Sequence, residues 1–427
     1  MEVQESTNKK TPVVVVATFY MLGVVTLLPW NFFINAETYW QYKLRNVSLG
    51  EDWESPDADL TPLQLSFTPT LVIVSNSFCT IFLIVTSAIV RRVGEGVRLV
   101  GSLAVSLAAM LVITFLTLVD TDTWQETFFV ITMVIVALLN VFTAVLQGSS
   151  YGLAGVFPST CINSMNSGQA IAGVFSSLAR ILSLLVGQEP VSCGLIFFGI
   201  ADCFLLLSIV DYIYLTKTDY YSEVKNECRS RSKEQEESGG QPRDRSDWVF
   251  YLAVFKKLWL MGATYGGTLF VSLMIFPAVT VYVTSTLPES RWTEVFFQPT
   301  ITFLLFNLGD WLGREAPRWV PWPGPRGWTL HVFGACRLVL LPLLMLCHGT
   351  NKTFPTVFNN DAYYIVFLFL LAFTNGHIST LALIYYPSLV DADELEVGGA
   401  IMAAMLGVGM VVGSLLSPAL VALWGPQ

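Results

Sequence analysis

Apolar stretches of about 20 residues alternate with short polar segments along the whole chain, and a helix of that length crosses the hydrocarbon core of a bilayer. The stretches are continuous, whereas the strands of an outer-membrane barrel alternate apolar and polar residues, so helices are favoured over strands. We predict eleven spans, at residues 12–36, 66–90, 97–119, 126–152, 168–187, 194–215, 258–284, 295–314, 329–348, 361–387 and 397–424.

The composition supports the same class. Of the 427 residues, 53% are hydrophobic and 13% are charged, whereas about a quarter of the residues in a soluble protein are charged. We therefore predict an all-α integral membrane protein surrounded by the lipid bilayer. The net charge of −9 argues against nucleic acid as a partner. Seven cysteines without a C-x-x-C pair, and no G-x-x-x-x-G-K-[ST] loop, give no reason to expect a metal, a cofactor or ATP-driven pumping.

The distribution of positive charge predicts the orientation. Lys and Arg concentrate in the N-terminal segment, in 216–257 and in the other loops on that side, whereas the opposite side carries only Lys43, Arg45, Arg291 and Lys352. The positive-inside rule therefore puts the N-terminus in the cytosol. After an odd number of spans, the C-terminus is extracellular. The two N-x-S/T sequons fall in the outer loops and predict glycosylation at Asn46 and Asn351.

One hydrophilic segment divides the spans six and five. We predict an N-terminal lobe at 1–215, a disordered cytosolic linker at 216–257 and a C-terminal lobe at 258–427. The linker fits a plain flexible connector, and its serines beside arginines leave phosphorylation by kinases open as an alternative. Two lobes around such a linker are typical of an alternating-access carrier with a site near the midplane.

The predicted eighth span ends in Asn307-Leu-Gly-Asp-Trp-Leu-Gly-Arg314. The i,i+4 spacing puts Asp310 and Arg314 on one helix face, within reach of each other. Because ionisable groups at membrane depth are costly, such a pair usually faces a polar pathway and marks a substrate or ion site. The alternative is a structural ion pair at the cytosolic end of the helix.

Two polar side chains in other spans are further site candidates. Trp30 follows a helix-bending proline and offers a broad aromatic face; the alternative is that it belongs to a membrane-interface belt. Gln147 can donate to and accept from the edge of a heterocyclic base, or instead form an interhelical hydrogen bond. The remaining ionisable groups within spans are open to structural, gating or, for the histidine, pH-sensing roles: Arg180, Arg337, Asp202, Asp211 and His377.

Six motifs together resemble the equilibrative nucleoside transporter family. They are LLPWNFF at 27–33, VLQGSSYGLAG at 145–155, SGQAIAG at 167–173, FPAVTV at 276–281, FNLGDWLGR at 306–314 and GGAIMAAM at 398–405. The resemblance runs from the first span to the last. It implies eleven spans in a 6+5 major-facilitator-like bundle that passively exchanges purine and pyrimidine nucleosides, without catalysis.

The resemblance also implies a substrate-binding site, when the family's binding residues are carried over to the matching positions of this sequence. Trp30 would line the central cavity, and Gln147 would bind the nucleobase. Asp310 and Arg314 would bind the ribose hydroxyls, with Asn307 nearby. The apolar positions around the base or an inhibitor would be Phe276, Phe303 and Met410.

Two rival functions differ from facilitative transport. A proton-linked nucleoside or polyol carrier of an endolysosomal membrane would use Asp310 to take up a proton. A receptor or intramembrane enzyme fits less well, because eleven spans do not fit a seven-span receptor and the chain has no H-E-x-x-H motif for hydrolysis. The endolysosomal branch of the family has a long N-terminal extension with a dileucine signal, whereas only about eleven residues precede the first predicted span here. We therefore favour the plasma membrane.

Overall fold

The computed structural model describes residues 11–48, 61–90, 92–186, 189–237, 247–324, 328–349 and 352–425. Within these ranges the chain is almost entirely helical, and its β-structure amounts to two isolated bridges. The prediction of an all-α fold is therefore confirmed.

The helices are numbered in chain order. They are α1 (Val13–Asn35), α2 (Glu37–Lys43), α3 (Pro62–Ile89), α4 (Glu95–Leu118), α5 (Gln125–Val156), α6 (Ser159–Val186), α7 (Pro190–Thr216), α8 (Asp219–Glu237), α9 (Asp247–Ile275), α10 (Leu305–Glu315), α11 (Thr329–Cys336), α12 (Leu340–Met345), α13 (Asp361–Tyr385) and α14 (Leu395–Trp424). The π-helical turns Trp292–Phe296 and Gln298–Leu304 lead into α10, and the 3-10 turn Arg337–Val339 joins α11 to α12.

Nine helical segments in the described part of the chain are long and apolar enough to cross a bilayer. They overlap the predicted spans one to seven, ten and eleven, although the fifth and the seventh begin earlier than predicted, at Ser159 and Trp248. The other two predicted spans, 295–314 and 329–348, are helical but broken, the first by π-helical turns and the second by the 3-10 turn. The chain is therefore a multi-pass membrane protein, and the count of eleven spans stays a prediction.

The start of α3 shows how local sequence fixes a helix boundary. The backbone N–H of Gln64 donates to Thr61 Oγ1 at 3.1 Å, and the backbone N–H of Thr61 donates to Gln64 Oε1 at 2.7 Å. This reciprocal capping box satisfies two amides that lack a partner within the helix. Pro62 occupies the first helical position, where its missing N–H is not needed.

We group the described helices into two halves, α1–α7 and α9–α14, which follow the predicted lobes; the division into lobes itself stays a prediction. Within the first half α1 packs against α6 and α3 against α5, and within the second α9 packs against α14 and α10 against α13. The halves meet where α14 contacts α3 and α5, and where α10 contacts α6. The end of the bundle that carries α8 is called the α8 end below.

The predicted disordered linker at 216–257 is wrong for its first part, because α8 covers Asp219–Glu237. Helix α9 also begins inside it, at Asp247, whereas 238–246 lie outside the described residues. The reason is tertiary. Tyr221 donates to Glu95 at 2.6 Å and Lys225 forms an ion pair with the same carboxylate, so a polar sequence gains contacts that its composition does not reveal.

Candidate substrate-binding site

A cavity of about 250 Å³ lies between the two halves of the bundle. Small-molecule sites usually enclose about 300–1,000 Å³, so this cavity suits a compact ligand. Helices α1, α3, α5 and α6 line it from the first half, and α9, α10, α13 and α14 from the second. Four of the predicted site residues are among its lining: Trp30, Gln147, Arg314 and Met410.

Gln147 has an unusual environment for a buried amide. Its side chain is only 5% exposed, and it makes no hydrogen bond within the described part of the chain. The interhelical hydrogen bond that we considered is therefore not formed there. Leaving a buried polar group without a partner is costly, so an amide that faces a cavity is a ready partner for a ligand.

Trp30 is half-buried on α1, next to Pro29, and its side chain borders the cavity together with Met410 on α14. A broad aromatic face and a flexible thioether thus provide apolar surface from the two opposite halves. This location favours the cavity-lining interpretation of Trp30 over a position in a membrane-interface belt.

Asp310 and Arg314 form the ion pair that their spacing predicts, with Arg314 Nε donating to Asp310 Oδ2 at 2.8 Å. Arg314 Nη1 donates to Asn166 Oδ1 of the other half at 2.7 Å. Within the described residues, Arg314 Nη2 has no hydrogen-bond partner. The other carboxylate oxygen of Asp310 accepts from Asn375 Nδ2 at 2.7 Å. Arg314 borders the cavity, and Asp310 lies behind it.

Close packing of α10 on α13 makes the Asn375 contact possible. A Cβ atom on Gly376 would lie 2.0 Å from the backbone carbonyl oxygen of Asp310. A Cβ on Gly313 would lie 2.1 Å from the carbonyl oxygen of Phe373. Glycine at both positions therefore lets the two helices approach until Asn375 reaches Asp310.

Gln169 on α6 is a cavity residue that the sequence analysis missed. Its Oε1 accepts from Tyr151 at 2.7 Å and from Arg314 Nη1 at 3.3 Å, and its Nε2 donates to Thr26 at 3.0 Å. It thus ties α1, α5 and α6 to α10 beside the cavity. A glutamine in an apolar helix was the available signal, but its glycine-rich surroundings suggested helix packing alone.

Besides Asp310, three predicted site residues lie outside the cavity lining. Asn307 Nδ2 donates to Ser177 at 2.8 Å, which places it in the contact between α10 and α6. Phe276 stacks on Phe306 with ring centroids 3.8 Å apart, and Phe303 meets it edge-on at 5.7 Å. Their expected roles toward a ligand stay predictions.

Of the two predicted glycosylation sites, Asn46 is exposed after α2. Its Oδ1 accepts from the backbone N–H of Ser48 at 3.1 Å and from the hydroxyl of the same residue at 2.7 Å. Asn351 lies outside the described residues. Across the described ranges, no group of three or more His, Cys, Asp or Glu side chains is arranged to hold a metal ion.

Sequence comparison decides the family. The model of the family described as Nucleoside transporter matches residues 131–422. The chain belongs to the equilibrative nucleoside transporter family. It is 34% identical to human equilibrative nucleoside transporter 1, over 93% of this chain and 95% of the relative. Identity to rat equilibrative nucleoside transporter 3 is 32%, over 93% and 86%. This family consists of carriers rather than enzymes.

Solved structures support the predicted major-facilitator-like fold of this family member. The proton:xylose symporter XylE aligns with a TM-score of 0.64, covering 95% of this chain and 87% of that protein at 10% identity. The major facilitator superfamily transporter FucP, in its outward conformation, aligns with a TM-score of 0.55, covering 96% of each chain at 12% identity. At such low identity the likeness concerns the fold alone.

Proposed function

We propose that this protein is a facilitative carrier of purine and pyrimidine nucleosides that works by alternating access. One observation carries the proposal: in a member of this family, the Gln147 amide and Arg314 Nη2 border one cavity between the two halves, and neither has a hydrogen-bond partner among the described residues. The first group offers a donor and an acceptor, and the second offers donors only. A nucleoside supplies complementary groups, on its base edge and on its ribose.

The proposed binding mode divides the ligand between the halves. Gln147 hydrogen-bonds the base edge, while Trp30 and Met410 cover the apolar faces of the base. Arg314 donates to a ribose hydroxyl, and Asp310 accepts from one after local adjustment of the pair. A ligand rich in hydroxyls must replace its hydration with such contacts or lose affinity.

Contacts between the halves at the α8 end must break when the carrier opens there. Arg98 of α4 forms an ion pair with Glu396 of α14. Tyr386 donates its hydroxyl to the backbone oxygen of Tyr151 at 3.1 Å. A substrate that bridges the halves can offset the loss of such contacts and lower the barrier to exchange.

The proton-linked alternative gains no support from the geometry of Asp310. Both of its carboxylate oxygens accept hydrogen bonds from donor groups, Arg314 Nε and Asn375 Nδ2. That arrangement suits a carboxylate anion, since a protonated acid would need an acceptor for its own hydrogen. We therefore infer no proton uptake at this residue.

We also propose a plasma-membrane location, with a cytosolic N-terminus and an extracellular C-terminus. The concentration of Lys and Arg on one side, including 216–257, supports this orientation. Surface biotinylation together with antibody access to terminal tags on intact cells tests it. A C-terminal tag that is accessible only after permeabilisation would contradict the orientation. Phosphorylation of 216–257 by kinases stays a prediction.

Uptake of tritiated uridine into sodium-free proteoliposomes tests the function. We expect saturable uptake that unlabelled adenosine, preloaded inside, accelerates. Asp310→Asn should lower kcat/KM about 10- to 150-fold, because a hydrogen bond to a charged group contributes about 1.5–3 kcal/mol. Asp202→Asn is the matched control: its carboxylate contacts Thr114 on α4 at 2.6 Å and does not border the cavity. Uridine uptake only at acidic pH would favour the proton-linked alternative. No uptake at any pH would contradict nucleoside transport.

A further inference from the structure

Arg337 is a buried arginine that forms no ion pair with a carboxylate of the described residues. It lies in the 3-10 turn between α11 and α12 and is 2% exposed. Its hydrogen-bond partners in the described part of the chain are all neutral oxygens, belonging to Thr268, Ser272, Leu371, Thr374 and Asn375. A buried charge is costly unless surrounding groups stabilise it, so this arrangement calls for an explanation.

The contacts of Arg337 lead to the Asp310–Arg314 pair through a continuous chain of hydrogen bonds. Arg337 Nη2 donates to Ser272 Oγ at 2.7 Å. Ser272 then donates its single hydroxyl hydrogen to Asn375 Oδ1 at 2.9 Å. Asn375 Nδ2 donates to Asp310 Oδ1 at 2.7 Å. In this series of hydrogen bonds, each group donates to the next one, from the arginine towards the carboxylate.

The chain fixes the orientation of the Asn375 amide. Its Oδ1 faces two donors, Ser272 Oγ and, at 3.4 Å, Arg337 Nη2. If the amide turned by half a rotation, its oxygen would face the Asp310 carboxylate and its NH₂ group would face those donors. Both contacts would then be repulsive. Arg337 and Ser272 thus select the one orientation in which Asn375 donates to Asp310.

All four members of this series of hydrogen bonds are buried. Ser272 and Asn375 are each 2% exposed, and α9 contributes the serine whereas α13 contributes the asparagine. In such surroundings hydrogen bonds are strong and a misplaced donor or acceptor is costly. The hydrogen bonds from Arg337 through Ser272 and Asn375 therefore restrict the orientation of the Asp310 carboxylate.

We infer that Arg337, with Ser272, is a positioning residue that acts through Asn375 to orient Asp310 for recognition of the ribose hydroxyls. This rests on the proposed function, because it assumes that Asp310 meets a sugar hydroxyl. Asn375 holds one carboxylate oxygen and Arg314 holds the other, so the lone pairs left for a ligand point in fixed directions. Sugar specificity then depends on residues that border neither the ligand nor the cavity.

The test is the discrimination between uridine and dideoxyuridine, which lacks the vicinal hydroxyls. The kcat/KM ratio of the two substrates is measured in proteoliposomes for the wild type and for Ser272→Ala, Asn375→Leu and Arg337→Lys. We expect each variant to lower the ratio about tenfold, mainly through slower uridine transport, since the ribose loses an oriented charged acceptor. Uptake of the dideoxy analogue should change much less.

A matched control separates positioning from folding. Thr374→Val removes the 3.1 Å hydrogen bond from Arg337 Nε but no link of the chain to Asp310. It should leave the substrate ratio at the wild-type value. If Arg337→Lys does not fold, the serine and asparagine variants still decide the question.

The possible failures are distinguishable. In one outcome, the wild type transports uridine faster than dideoxyuridine while the variants slow the transport of both substrates equally. That result would overturn the positioning role of Arg337 and leave the proposed function standing. A wild type that carries uridine no better than dideoxyuridine would overturn the assignment of Asp310 to the ribose and this inference with it. A wild type that carries neither substrate would overturn the proposed function as well.

Discussion

Gln147→Leu separates a ligand-binding role from a structural role. Leucine is close to glutamine in size, and the wild-type amide makes no hydrogen bond within the described part of the chain. The substitution therefore breaks no hydrogen bond among the described residues, and we expect an unchanged or slightly raised Tm. If the amide makes two hydrogen bonds to the base, their loss costs about 1–3 kcal/mol, which corresponds to a kcat/KM about 5- to 150-fold lower.

Gln169→Leu is the contrasting variant, because it is the same change on a neighbouring cavity residue. Gln169 hydrogen-bonds Tyr151, Thr26 and Arg314, so leucine leaves three buried polar groups without this partner. We expect a free energy of unfolding lower by about 2–4 kcal/mol and a clear fall in Tm.

Both variants are assayed by tritiated uridine uptake into proteoliposomes and by thermal unfolding in detergent. The two variants should differ in which readout changes. Gln147→Leu should lower uridine uptake at an unchanged Tm, whereas Gln169→Leu should lower the Tm. A fall in Tm for Gln147→Leu as large as that for Gln169→Leu would refute the argument, since it would reveal a protein partner for this amide. Undiminished uptake would equally refute it.

Three further predictions follow from other contacts. Gly376→Ala forces α13 away from the Asp310 carbonyl oxygen, 2.0 Å from the new Cβ, so both Tm and uridine uptake should fall. Arg98→Glu and Glu396→Arg should each slow uptake by breaking the ion pair between the halves, and the double variant should recover part of the loss in a double-mutant cycle. Asn46→Gln should remove one endoglycosidase-sensitive glycan in mammalian cells without changing uptake, and an unchanged gel mobility would contradict the assignment.

The sequence predicts best those features that depend on local geometry. Continuous apolar runs identify nine of the helical segments, because length and hydrophobicity alone decide whether a segment can span. The Asp310–Arg314 pair follows from the rise and turn of a helix. By contrast, the breaks in the predicted eighth and ninth spans have no comparably clear local signal.

The missed features depend on partners that are distant in sequence. Helix α8 forms on residues whose composition predicts disorder, because Glu95 lies in reach of two of its side chains. Asn375 lies 65 residues from the Asp310 that it contacts. A single sequence reveals that such polar groups are buried and need partners, but not which partners the packing supplies.

The hydrogen bonds of the cavity suggest how ligand binding couples to movement of the halves. The Gln147 amide has no hydrogen-bond partner among the described residues, so a base can bind it without displacing any hydrogen bond seen there. Arg314 is different: Nε donates to Asp310 within the second half and Nη1 donates to Asn166 in the first half, whereas Nη2, without a partner in the part of the chain that the structure describes, can meet a ligand. A ribose that binds this guanidinium therefore competes with the hydrogen bond between Arg314 and Asn166, which joins the two halves. Binding and opening then share one side chain, which gives the ligand a different affinity for the two states, as an exchanger requires.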